Sequence, residues 1–163
     1  MDVTGRLDQV GPSVTVTFER ELAATPERIW AALTEPPQLA AWLAEAEFDA
    51  VEDGAVHLVW PDKGEMHGAV TVLRPHEVLE YSWHEDGVPS LLRFELEPAG
   101  EHATTLRLQH LGTTPAEAPG FGAGWQSHLE ALDEVLAGGT STPEARDARY
   151  EALRPAYDEL LAR

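Results

Sequence analysis

Few residues in this chain could carry chemistry. It has no cysteine, which removes disulfides, thiolate metal sites and a cysteine nucleophile. There is no Gly-x-Ser-x-Gly segment, and Ser127 beside His128 cannot face it on a helix. Histidine is what remains. His110 ends the alternating run TTLRLQH, and His128 lies in GFGAGWQSHLEALDEVLAGG. In that second stretch Trp125, His128, Leu129, Leu132, Val135 and Leu136 fall at i, i+3, i+4, i+7, i+10 and i+11. Two polar-tipped rings therefore share the stripe that an amphipathic helix must bury. A neutral imidazole in apolar surroundings can hold a ligand hydroxyl, polarise a carbonyl or move a proton. The plainer outcome is internal pairing, His110 and His128 bonding to each other, to Tyr81 or to backbone. A buried ring left unpartnered would cost about 1–3 kcal/mol. No partner carboxylate that would orient either ring is evident, so no catalytic residue is assigned. HEVLE and WHEDG set His beside carboxylates without a His-x-x-x-His pair, so no metal ligand is assigned either, and no cofactor. GFGAG is glycine-rich but lacks a surrounding βαβ unit, and reads as a flexible loop at a pocket mouth.

The elements that would position these rings follow from periodicity. Residues 1–13 read as a loose, flexible lead-in. VTVTFERELAA alternates, with Val14, Val16 and Phe18 on one face, as a half-buried strand does. In TPERIWAALTEPPQLAAWL the period becomes helical. Thr25 is a ready N-cap with Pro26 at the first helical position, and Pro36–Pro37 start a second short helix. Trp30 and Trp42 are packing anchors of those helices. From Phe48 to His110 come about six strand-like runs separated by EDG, PDKGE, RPHE, EDGVP and PAGEH. Connections this short allow only antiparallel neighbours. The amphipathic helix follows, closed by Gly138–Gly139. The tail, residues 140–163, starts with a second Thr-Pro cap at Thr142–Pro143. It carries Tyr150, Leu153, Tyr157, Leu160 and Leu161 on one stripe, with a kink or split expected at Pro155. That stripe must cover its own domain or a second copy, so a homodimer through 140–163 is one expectation.

Period two assigns faces. If Leu106 and Leu108 face the long helix, so does His110. Leu79 carries Tyr81 and Trp83 inward, Val70 carries Met66, and Leu92 carries Phe94. Val56, Leu58 and Trp60 are the more apolar choice for the inner face of AVHLVW, which leaves His57 and His67 facing solvent. A cavity between sheet and helix would then be lined by Trp60, Met66, Tyr81, Trp83, Phe94, His110, Trp125 and His128. That is a mainly aromatic lining with a few polar groups, as small-molecule pockets have. Trp125 and His128 are expected at the helix's N-terminal turn, where sheet and helix diverge.

The order of these elements, and VTFERELAATPERIWAALTEPPQLAAWL, GAVTVLRPHEVLEYSW, TTLRLQHLG and GWQSHLEALDEVLAG in particular, resemble the family named after the activator of the Hsp90 ATPase. That family lies within the START-like, Bet v 1-like superfamily. The likeness covers about residues 14–138. It implies an α+β helix-grip fold: a curved antiparallel sheet of about six to seven strands around a long C-terminal helix, spanning 14–139. It implies a binding cavity for a small hydrophobic or amphipathic molecule and no shared catalytic set. An Hsp90-type chaperone is a further implied partner, although the namesake co-chaperone carries a second domain for that contact and this sequence has no room for one. A polyketide-cyclase-like enzyme using His110 or His128 is the remaining alternative.

Charge narrows the partners. Against 11 basic residues stand 29 acidic ones, a net charge of −18 at pH 7. Such a surface repels phosphate backbones and anionic lipid headgroups, so neither nucleic acid nor membrane is an expected partner. No basic start precedes an apolar run, and no stretch approaches the roughly 20 apolar residues of a membrane span. A cytoplasmic location is the default expectation.

Overall fold

The computed structural model describes residues 2–162. Its strands are β1 (Arg6–Val10), β2 (Ser13–Leu22), β3 (Glu45–Phe48), β4 (Ala55–Trp60), β5 (Gly64–Arg74), β6 (Val78–Trp83), β7 (Ser90–Pro98) and β8 (Thr104–Thr113). Its helices are α1 (Pro26–Thr34), α2 (Pro36–Trp42), α3 (Ala118–Leu136) and α4 (Pro143–Ala162). All strands form one antiparallel sheet in the order β1-β2-β8-β7-β6-β5-β4-β3. β3 to β8 are a meander, as their short turns require, and the last strand returns to pair with β2. This is the helix-grip order.

Local signals act as read. Thr25 Oγ1 accepts from the Arg28 N–H at 3.2 Å, and Thr142 Oγ1 accepts from the Ala145 N–H at 3.1 Å. Trp42 is fully buried and its indole donates to the Ala32 carbonyl at 2.9 Å, locking α2 onto α1. Inward rows from β2, β6, β7 and β8 merge with Trp125, Leu129 and Leu132 of α3 into one core. Arg20 of β2 adds a tie to Asp133 of α3 at 2.9 Å.

Three expectations need correcting. Part of the lead-in is a strand: residues 6–10 pair with β2 through a turn at Gly11, where φ is +61°. Apart from Leu7, which packs against the core, its side chains are exposed, so backbone pairing at the sheet edge, not an apolar alternation, mainly holds it. Second, α3 begins at Ala118, so the Gly120–Gly124 stretch is helical and Trp125 and His128 sit in mid-helix. Helix is tolerated there because glycine is needed for close approach. A Cβ on Gly122 would lie 2.4 Å from the Tyr157 ring. Third, the tail is a single helix running through Pro155. Pro155 and Glu151, whose carbonyl loses its partner, are both exposed, so water can serve that carbonyl.

The tail's apolar stripe is used within the chain. Leu153 and Tyr157 are fully buried against α3. Tyr157 donates to Gln126 Oε1 at 2.6 Å and accepts from the Gly5 N–H at 3.1 Å. Burial pushes its phenol up to about 12. Arg149 clamps Glu134 at 2.7 Å and donates to the Ser127 carbonyl at 3.1 Å. The residues that suggested a tail-mediated homodimer thus already have a partner in the same chain.

Candidate functional site

Beneath the middle of α3 the sheet and helix are packed without a gap. Met66, Tyr81, Phe94 and His110 are each at most 1 % exposed. Desolvation pushes the Tyr81 hydroxyl well above its usual range. His110 belongs to a closed polar cluster. Trp125 Nε1 donates to His110 Nδ1 at 3.0 Å. An indole N–H can only donate, so Nδ1 carries no proton and Nε2 carries it. Nε2–H therefore donates to Ser90 Oγ, 2.8 Å away. Burial pushes the ring down to about 3, so it stays neutral. A histidine that donates to a serine cannot take that serine's proton, and both of its nitrogens are engaged. Ser90–His110 is a structural pair, not an activated nucleophile.

Along its other flank α3 opens. Gly120, Phe121, Gly124, Trp125 and His128 form one wall of a cleft of about 420 Å³. Trp60 of β4 and Trp83 of β6 make the floor, and Tyr150, Glu151 and Arg154 of α4 the opposite wall. A second compartment of about 510 Å³ adjoins it, sharing Leu43, Trp60, Gly124, His128 and Tyr150. The aromatic rings touch edge to face, Trp83 on Trp125 at 5.4 Å and Trp125 on His128 at 6.1 Å between centroids. Such contacts hold the rings in fixed orientations. Of the eight residues expected to line a cavity, Trp60, Trp83, Trp125 and His128 border this cleft. Met66, Tyr81, Phe94 and His110 lie in the core behind it.

His128 contrasts with His110. The Trp42 carbonyl lies 3.0 Å from Nδ1 and can only accept, so Nδ1 bears the proton and Nε2 presents a lone pair. Desolvation is the main cause that pushes this ring down to about 4. At neutral pH it is thus an uncharged acceptor on the wall of an aromatic cleft. The remaining polar groups are mostly carboxylates. Glu85 accepts from Trp83 Nε1 at 3.0 Å and is held above the usual carboxylate range, by burial first. Lys63 and Arg154 are engaged with Asp147 and Asp158 at 3.3 and 3.0 Å.

Residues on α4 escaped the sequence reading because the helix register fixes only which of them share a stripe. What that stripe meets is set by docking. Gly124 was missed for a related reason. A glycine with nothing within 4 Å of its Cβ position marks open space, a property of surroundings and not of residue type.

No helix among the described residues is long and apolar enough to cross a membrane. Among curated proteins, no sequence matches. Solved structures share the architecture. CalU16 from Micromonospora echinospora is 21 % identical with a TM-score of 0.77, covering 98 % of this chain and 96 % of its own. A protein from Rhodobacter sphaeroides is 29 % identical with a TM-score of 0.70, covering 83 % and 99 %. The Aha1 dimer from Colwellia psychrerythraea is 23 % identical with a TM-score of 0.66, covering 76 % and 96 %. Residues 23–137, most of the chain and all of the segment from α1 to α3, match the family described as activator of Hsp90 ATPase homolog 1-like protein. The chain belongs to that family, on a START-like helix-grip fold.

Proposed function

We propose that the protein binds, without transforming it, a small, largely apolar molecule in the cleft between α3, α4 and the β4–β6 part of the sheet. The observation that carries this reading is the neutral His128, its Nε2 open, beside Trp125 on the wall of a cleft floored by Trp60 and Trp83. Carboxylates without a cation partner among the described residues line it, Glu85 and Glu151, while Lys63 and Arg154 are paired. The favoured ligand is a flat apolar molecule, neutral or cationic, carrying a hydroxyl or amine that donates to His128. Anionic ligands are disfavoured by the same carboxylates and by the net charge of −18.

N-phenyl-1-naphthylamine, flat and neutral with one N–H donor, is a suitable probe. Saturable binding with energy transfer from the cleft tryptophans is expected. Gly124→Leu should abolish it, because the new side chain enters open space. An absence of binding to the wild type, or undiminished binding to Gly124→Leu, overturns the reading. Native mass spectrometry of the purified protein would then identify a co-purifying molecule.

A further inference from the structure

The outer face of the sheet, away from the cleft, carries a row of imidazoles created by strand register. His57 of β4 is paired directly with His67 of β5. His67 is paired with His84, just beyond β6, through reciprocal backbone bonds of 3.0 and 2.9 Å. Directly paired residues point to the same face, so His57, His67 and His84 stand side by side on three neighbouring strands. Glu47 of β3, opposite His57, continues the row. Glu65, two residues before His67 on the same face, reaches between the first two rings. Its Oε2 is 3.2 Å from His57 Nε2 and its Oε1 3.4 Å from His67 Nε2. The two rings are stacked, centroids 4.3 Å apart and planes 11° from parallel. One ligand atom from each of His57, Glu65 and His67 lies within 4.8 Å of the others.

The two distances from Glu65 are close to those around one kind of ion. A tetrahedral ion with bonds near 2.0–2.1 Å keeps its ligand atoms about 3.3–3.4 Å apart. Two imidazoles and a carboxylate suit zinc and its neighbours in the first transition row, not calcium or magnesium, which prefer all-oxygen shells. The backbone beneath is well located. Gly68 lets the Ser82 carbonyl approach to where a Cβ would lie 1.9 Å from it. Ser82 Oγ accepts from the Ala69 N–H at 3.0 Å, so β5 and β6 are held together beside His67.

We infer that His57, Glu65 and His67 form a surface site for one divalent transition-metal ion of the zinc type, with water completing its shell. The site needs no contribution from the cleft.

Untagged full-length protein titrated with ZnCl₂ by calorimetry should saturate at one ion per chain. Co²⁺ should give the visible absorption of a tetrahedral site with nitrogen ligands. His57→Ala combined with His67→Ala should weaken Zn²⁺ binding at least about tenfold, and loss of a ligand commonly exceeds what outer partners cost. His102→Ala, on an exposed turn, should leave it unchanged. All three side chains replaced in these variants reach solvent, and thermal unfolding without metal checks that the variants fold. Failure of the wild type to saturate, or equal binding by the double variant, overturns the site.

Discussion

His110 and His128 lie on facing elements, β8 and α3, both neutral and both against Trp125, yet they do opposite things. His110 spends one nitrogen on Trp125 and the other on Ser90. His128 spends one on the Trp42 carbonyl and keeps the other. The first closes a core and the second opens a cleft. Residue type and charge state therefore do not distinguish a structural histidine from one poised for a ligand; the count of engaged nitrogens does.

The contrast can be broken by mutation. His110→Ala should have the largest effect, a loss of about 3–5 kcal/mol in urea unfolding. It leaves a cavity and strands the Trp125 N–H and Ser90 without partners. If its cost matched that of His128→Ala, the closed-cluster account would fail. Next, Gly122→Ala should cost about 1–3 kcal/mol by forcing the Tyr157 ring off α3. It should also weaken the probe, since α4 forms a cleft wall, and a neutral result would show that α4 docks more loosely than its contacts imply.

A pH series sharpens the comparison further. Both rings are lowered in the folded state, to about 3 for His110 and about 4 for His128, while an unfolded histidine titrates near 6.5. Between those values the unfolded chain binds more protons, so stability falls as pH falls. The His128 contribution is complete above about 6.5 and gone by about 4, changing by at most about 1.4 kcal/mol per pH unit. The stability difference between wild type and His128→Gln should therefore shrink from pH 7 to pH 5. A constant difference would show that the ring titrates alike in the folded and unfolded chain and is not desolvated. The smallest effect on stability is expected for Gly124→Leu. A side chain there meets nothing and removes a helix-interior glycine, so unfolding should shift by less than about 1 kcal/mol, in the stabilising direction. A large loss of stability would mean that the cleft is narrower than its walls indicate.

Much of this architecture was legible in the chain. Alternation identified β2 and β4–β8 and put Leu58, Met66, Tyr81, Phe94 and His110 inward, because a strand's side chains have period two and one face must leave water. The Thr-Pro pairs at residues 25–26 and 142–143 marked helix starts through a local hydrogen bond. β1 was not legible, since an exposed edge strand is held mainly by backbone bonds that any sequence can make. Nor was the start of α3, where three glycines hid a helix whose close packing on Tyr157 is a long-range contact.

Sequence alone determined which residues leave water, and through the resemblance it determined the family: both rest on local periodicity and on segments read in order. Only the tertiary structure decided how those residues are shared out. It placed Trp60, Trp83, Trp125 and His128 at an opening and Met66, Tyr81, Phe94 and His110 behind it, although all eight looked equivalent on one face. It also brought His57, Glu65 and His67 together from two strands. The physical reason is the same in both cases: the partner of a hydrogen bond or a ring contact is set by register and docking angle, which depend on residues far along the chain.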